Sequence, residues 1–161
     1  MKFGTTFRGL RTTYNIEPHS FLDYVHDIPL PNYIRRDETL AALLGHIPSK
    51  KIIFTNASNR HAENVLGVLG VRKYFDQVID VMQIEPYCKP LPEAFLQAIQ
   101  LAKITNTKNC VVIDDQVRNL KTAHDLGFFT IHVGTEERAS FVDAVIPTIA
   151  DLGDVVPLEL A

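Results

Sequence analysis

The chain has 161 residues, of which 46% are hydrophobic and 22% are charged, and its formal net charge is −3. That composition suffices for one domain with a buried core, and the interspersed charges lack the basic stripe that indicates a nucleic-acid partner. Because the apolar runs are too short for a membrane span or a secretory signal, and because Cys88 and Cys110 fit neither a disulfide framework nor a metal-binding pattern, we expect a soluble cytoplasmic protein.

The N-terminal part of the chain predicts helices joined by irregular connections. Apolar residues recur at helical spacing over residues 3–14, and again over residues 21–25 after Pro18, a residue suited to a helix start. Asp37 is a typical N-cap, and it predicts a third helix over residues 38–46.

Beyond this helical part, short apolar strands alternate with helices. The predicted strands are residues 52–54, 78–81, 110–113, 128–133 and 145–146, and the predicted helices are residues 58–69, 92–102 and 118–126. Gly70 and Gly127 stand where helices usually end. The alternation predicts an α/β fold with a mostly parallel sheet covered on both faces. We therefore divide the chain into a helical segment, residues 1–48, and an α/β core, residues 49–161.

Polar side chains follow the predicted strands at the edge where such sheets bind ligands. Thr55 and Asn56 come directly after the first strand, and Asp114 and Asp115 come after the third. Lys89 lies in the loop between the second strand and its helix. Because ligands bind outside the carboxyl ends of parallel strands, we expect these five residues to lie at one edge of the sheet.

These residue types suit an oxyanion together with a divalent cation. The Thr55 hydroxyl and free amides at a helix start can hold phosphate oxygens, and Lys89 supplies a positive charge for a phosphoryl group. The adjacent carboxylates of Asp114 and Asp115 repel each other unless a cation lies near, and Mg²⁺ prefers such oxygen ligands. Simpler interpretations stay open for each motif alone, since Thr55 and the acids could only cap helices and Lys89 could be a solvated turn residue.

Taken in order, these motifs resemble those of the haloacid dehalogenase superfamily of phosphohydrolases. The matching motifs are a strand that ends in Thr55-Asn56, the Lys89-Pro90 dipeptide before a helix, and the strand that ends in Asp114-Asp115. The resemblance implies a three-layer Rossmann-like core with a small helical cap, incomplete at the N-terminus. It also implies Mg²⁺-dependent hydrolysis of a small phosphomonoester, in which Thr55, Asn56 and Lys89 hold the phosphate. Asp115 would bind Mg²⁺ with the help of Asp114.

Finer details are similar to the pyrimidine 5′-nucleotidase-like branch of the superfamily. The stretches that carry this likeness are residues 54–57 (FTNA), 66–70 (LGVLG) and 113–116 (IDDQ), together with residues 3–10. The likeness implies a nucleoside monophosphate as the substrate. Substrate choice would then fall to the cap, where the conceivable contacts are Arg8, His19 and Tyr24.

One motif that the resemblance requires is missing. The family's nucleophile is the first Asp of an Asp-x-Asp motif after an N-terminal strand, and it forms an aspartyl-phosphate. This sequence contains no Asp-x-Asp motif, and the aspartates before Thr55, which are Asp23, Asp27 and Asp37, do not follow an apolar strand. We therefore expect little or no turnover from this chain alone, and a sheet that is split or repacked where the nucleophile strand would lie.

Three explanations of the missing motif stay open: a truncated enzyme, a degenerate phosphatase that retains ligand binding, or a partner chain that fills the gap. A rival function is a non-catalytic binding or oligomerising module, because an unpaired sheet edge invites pairing with another copy. A further rival is a phosphoacceptor domain that is modified on Asp114 or Asp115.

Overall fold

The structure is a computed structural model, and it describes residues 5–14, 16–134 and 138–155. The α-helices are α1 (Thr6–Tyr14), α2 (Pro18–His26), α3 (Glu38–His46), α4 (Asn59–Leu69), α5 (Pro92–Ala102) and α6 (Val117–Asp125). The strands are β1 (Ile52–Phe54), β2 (Gln77–Ile79), β3 (Val111–Asp114), β4 (Phe129–Val133) and β5 (Ala144–Ile146). None of the described helices has the length and apolar character to span a membrane.

Local sequence signals define most helix ends. The Asp37 carboxylate accepts a hydrogen bond from the Leu40 N–H at 2.8 Å and so caps α3, as predicted. Ser58 caps α4 in the same way, and Gly70 ends that helix with φ = 76°, a left-handed conformation that favours glycine. The predicted helix over residues 3–14 is observed from Thr6 onward, while Phe3 lies outside the described residues.

The strands form two parallel sheets instead of one continuous sheet. Strand β1 pairs with β2, and β3, β4 and β5 pair in that order, always in parallel register. Within the described part of the chain, no strand joins β1 to β3. Strands β1 and β3 are incompletely buried although most of their residues are apolar, and Ile113 is 36% exposed. The division into two sheets agrees with the expectation of a split sheet, and the missing nucleophile strand stays a prediction.

Helix α5 packs against residues of both sheets. Phe95 is 2% exposed and belongs to one hydrophobic cluster, against which Phe54 of β1 and Val112 of β3 both pack. The Phe54 and Phe95 rings meet edge to face with centroids 5.2 Å apart, a favourable aromatic geometry. Side-chain packing on α5 therefore connects the two sheets where backbone hydrogen bonds do not.

The N-terminal helices pack on two different parts of the core. Phe7 of α1 and Leu22 of α2 join Val81 and Cys88, which lie beyond β2, in one cluster. Helix α3 instead packs on α4 and β2, with the cluster formed by Ala41, Leu44, Ala62, Leu66, Val71 and Val78. The division at residue 48 stays a prediction, and these contacts show that α3 shares a core with the α/β part.

Candidate active site

Two hydrogen bonds join the loop after β1 to the loop before α5. The Asn56 side chain donates to the Lys89 carbonyl at 3.0 Å and accepts from the Lys89 N–H at 2.9 Å. The Thr55 hydroxyl oxygen accepts from the Ala57 N–H at 3.0 Å. This arrangement uses the Asn56 side chain for structure, whereas its backbone N–H makes no hydrogen bond within the described residues. An anion bound here would therefore meet the Thr55 hydroxyl and the backbone N–H of Asn56, and not the Asn56 side chain.

Lys89 and Asp114 form a largely buried ion pair between the two sheets. The Lys89 Nζ donates to Asp114 Oδ2 at 2.8 Å, and the two side chains are 14% and 7% exposed. The other carboxylate oxygen, Oδ1, accepts from the Gln116 N–H at 2.8 Å and from the Asn119 amide at 2.9 Å. Both oxygens of Asp114 are thus engaged, which fixes the orientation of the carboxylate and keeps Lys89 at the rim.

Asp115 differs from its neighbour because it is exposed. Its carboxylate accepts a long hydrogen bond, 3.3 Å, from the Gln116 side chain. Among the described residues no three His, Cys, Asp or Glu side chains cluster as a metal site. Two adjacent carboxylates fit Mg²⁺ nevertheless, because this ion takes one or two protein carboxylates and completes its shell with water and phosphate. Asp115 would be the direct ligand, and Asp114 would act from its fixed position.

Several supporting residues were not identified from the sequence. Asp80 is buried, and it accepts from the Asn59 N–H at 2.8 Å and from the Gln83 N–H at 3.1 Å. Residues 78–81 were predicted as one strand, whereas β2 ends at Ile79 and the Asp80 side chain binds the start of α4. An acid directly after a strand, the signal used for Asp114, would have identified it. Thr122 also donates to the Pro90 carbonyl at 2.7 Å and so fixes the Lys89 loop.

The three cap residues predicted to contact substrate lie in different surroundings. His19 and Tyr24 are exposed, and the Tyr24 side chain is 83% exposed. Arg8 is half-buried and lines a cleft between α1 and the loop that follows β2. Of the three, only Arg8 lines a described cavity next to the candidate site.

Two histidines stack where α2 meets the start of α4. The rings of His26 and His61 lie 4.2 Å apart and nearly parallel, and His26 Nδ1 lies 3.2 Å from the Ser58 hydroxyl. Asp23 and Arg60 form an ion pair at 3.2 Å beside them. Burial lowers the pKa of both histidines, and the neighbouring His61 lowers the pKa of His26 further. Both rings are therefore packed as neutral groups.

This histidine pair predicts a loss of stability in mild acid. Because the folded-state pKa values lie below the ordinary 6.5, the unfolded chain binds more protons as the pH falls through that value. We expect the free energy of unfolding to be highest above pH 6.5 and to decrease below it. Urea unfolding at pH 7.5 and 5.5 measures the change. His61→Phe keeps the stacked ring without the titration and should weaken this pH dependence; an unchanged dependence would contradict the assignment to the pair.

Comparison with known families agrees with these motifs. The sequence model of the haloacid dehalogenase-like hydrolase family matches residues 14–127, which is most of the chain. The chain belongs to this family. The match spans the Thr55, Lys89 and Asp114 regions, and it confirms the superfamily expected from their order. It leaves the nucleotidase-like branch and the missing nucleophile as predictions.

A curated yeast protein is also similar to the chain. Phosphate metabolism protein 8 of Saccharomyces cerevisiae is 27% identical over an alignment of 142 residues, and the match covers 78% of this chain and 44% of that protein. The chain thus spans less than half the length of this relative.

Solved structures share the fold at low sequence identity. The HAD phosphatase from Thermococcus onnurineus has a TM-score of 0.68 and 21% identity, covering 99% of this chain and 80% of that one. The L-2-haloacid dehalogenase from Xanthobacter autotrophicus has a TM-score of 0.60 and 18% identity, covering 73% and 58%. These matches confirm the predicted α/β architecture with mostly parallel strands. Because a phosphatase and a dehalogenase share it, the fold alone does not decide the reaction.

Proposed function

We propose that this site binds a small phosphomonoester together with Mg²⁺ and is the phosphate-handling half of a phosphatase. The observation that supports this most is the fixed Lys89–Asp114 pair beside the exposed Asp115. A lysine at the rim offers charge to a phosphoryl group, while the exposed Asp115 carboxylate offers oxygen ligands to a cation. A dehalogenase needs no such cation site. The nucleotidase-like motifs make nucleoside 5′-monophosphates one class of substrate to test.

Each residue would have a distinct role in binding. The Thr55 hydroxyl and the Asn56 N–H would donate to phosphoryl oxygens, and Lys89 would neutralise their charge. Asp115 would hold Mg²⁺, which when bound would withdraw negative charge from the phosphoryl group. Asp114 would act as a positioning residue, because its two oxygens already orient Lys89 and the start of α6.

We also propose that the chain alone releases little or no phosphate. Its sequence has no Asp-x-Asp motif that could supply the nucleophile and the general acid of the family reaction. Positioning and charge alone leave most of the barrier in place, since enzymes lower such barriers by about 8–23 kcal/mol. We keep the proposed division into a cap segment and a core, and a cytoplasmic location, as part of this hypothesis.

An oligomerising module is the alternative function, and one observation favours it. The sides of β1 and β3 that face away from their sheets have no strand partner among the described residues. Unpaired edges with apolar side chains such as Ile113 can bind a strand of another copy. Molecular mass measured against concentration by light scattering tests this, since a tight dimer supports the module and a monomer at all concentrations argues against it.

The test of the phosphatase site is a binding and turnover assay of the same chain. We expect inorganic phosphate and phosphomonoesters to bind only in the presence of Mg²⁺, and Asp115→Asn to weaken this binding at least about tenfold by removing a charged ligand. Phosphate release should stay near background. Magnesium-dependent release that Asp115→Asn abolishes would contradict our proposal of an incomplete catalyst, and binding that ignores both Mg²⁺ and the substitution would contradict the site.

A further inference from the structure

A cleft of about 320 Å³ lies between helix α1 and the loop that follows β2. Arg8 and Arg11 line it from α1, and Glu85 and Tyr87 line it from the loop. This volume is at the small end of the range for ligand pockets, so it admits a compact molecule. Its lining is mixed, because the two arginines and Glu85 stand beside Tyr87 and apolar residues such as Phe7 and Val81.

The two arginines of the cleft differ in their partners. The Arg11 guanidinium pairs with the Glu85 carboxylate across the cleft, so its charge is already balanced. The Arg8 side chain is half-buried and has no ion pair or hydrogen bond within the described residues. A guanidinium presents a planar fork that matches the two oxygens of a carboxylate or phosphate. Arg8 is therefore the group of the cleft that remains available to an anion.

The cleft shares its wall with the candidate phosphate site. Cys88 lines the cleft and directly precedes Lys89. Val81 lines it as well, and the Val81 N–H donates to the Ala57 carbonyl at 3.2 Å, next to Thr55 and Asn56. One compact molecule could thus place its phosphoryl group at Lys89 and its other end in the cleft.

We propose that the cleft binds the non-reacting end of the substrate through a second oxyanion held by Arg8. This inference rests on the proposed phosphate site, and it names the substrate class as a small phosphorylated carboxylic acid. A nucleoside monophosphate carries no second anion for Arg8. Hydrogen bonds to charged groups are stronger than those to neutral groups. A ligand with a carboxylate in this place should therefore bind more tightly than one with a hydroxyl.

Calorimetric titration of the full chain with Mg²⁺ tests the assignment. The matched ligands are 3-phosphoglycerate, with a carboxylate, and glycerol 3-phosphate, with a neutral hydroxymethyl group in its place. Uridine 5′-monophosphate and inorganic phosphate complete the set. We expect 3-phosphoglycerate to bind at least about tenfold more tightly than glycerol 3-phosphate. Arg8→Gln should abolish this difference by weakening the binding of 3-phosphoglycerate, whereas Arg35→Gln, the same change at an exposed site, should preserve it.

Other outcomes overturn the inference in distinguishable ways. Equal affinity for the two matched ligands, or tighter binding of uridine 5′-monophosphate, would overturn the role of Arg8 and leave the phosphate site intact. Equal losses in Arg8→Gln and Arg35→Gln would reduce the effect to net charge. Failure of inorganic phosphate and of every phosphomonoester to bind would refute the phosphate site, and the inference with it. Thermal unfolding of both variants checks that each is folded.

Discussion

Lys89→Met is expected to lower the free energy of unfolding by about 3–5 kcal/mol, the usual cost of breaking a buried ion pair. The substitution keeps the length of the side chain and removes its charge. It leaves the Asp114 carboxylate, whose side chain is 7% exposed, without its cation between the two sheets. The remaining donors, Gln116 N–H and the Asn119 amide, are neutral and do not offset this charge.

Urea unfolding of a double-mutant cycle measures the effect. Asp114→Asn combined with Lys89→Met removes both charges, and we expect the double variant to be more stable than Lys89→Met alone because no buried charge remains. Lys121→Met is the matched control, since Lys121 pairs with Asp125 at 2.6 Å but both side chains are about half exposed. Its cost should stay within about 0.5 kcal/mol. Similar costs for the two lysines would show that burial does not strengthen the Lys89 pair.

The parts of the fold that the sequence predicted are those with local causes. Asp37 and Ser58 accept hydrogen bonds from residues three positions later, so the helix starts are encoded within a few residues. Gly70 ends α4 for an equally local reason, its positive φ. The predicted end of β2 was wrong, and this error also has a local cause. In the sequence Asp80 lies within an apolar run, but its carboxylate accepts a hydrogen bond from the start of α4 and the chain leaves the strand there.

The site was predicted in its parts but not in its internal contacts. That Thr55, Lys89 and Asp114 occupy one rim followed from the rule that parallel strands present their carboxyl ends together. The hydrogen bonds from Asn56 to the backbone of Lys89 join residues 33 positions apart. Such contacts depend on how two loops pack, which spacing along the chain does not encode. The different surroundings of Asp114 and Asp115 have the same origin, since the two acids are chemically identical in the sequence.

Which of the two arginines in the cleft has an acidic partner could not be predicted from the sequence either. Arg8 and Arg11 are one helical turn apart, and both are arginines on the same helix. Only the tertiary fold brings Glu85 to Arg11 and leaves Arg8 without a partner among the described residues. The same folding step places both arginines behind the loop that carries Lys89. The proposed substrate preference thus depends on an ion pair between residues more than seventy positions apart in the chain.

Phe95→Ala is expected to lower the free energy of unfolding by about 3–5 kcal/mol, as for other large core residues. Phe95 is 2% exposed, its ring meets the Phe54 ring of one sheet, and Val112 of the other sheet packs against the same cluster. Since no hydrogen-bonded strand joins β1 to β3 in the described residues, this ring is a main connection between the sheets. Urea unfolding, monitored by circular dichroism, measures the loss of stability. Leu96→Ala on the same helix is the control, because Leu96 is 53% exposed and its loss should stay near 0.5 kcal/mol.

The shape of the transition is as informative as its midpoint. A cooperative single transition in the unaltered chain requires that the two sheets unfold together. If packing on α5 couples them, Phe95→Ala should also let amide hydrogens of β1 and β2 exchange faster than those of β4, because the smaller sheet can then open separately. Equal acceleration in both sheets would mean that Phe95 supports the core as a whole, and that the sheets are coupled by other contacts. In that case, the lack of a strand between β1 and β3 would have little bearing on stability, and its effect would be confined to the chemistry of the site.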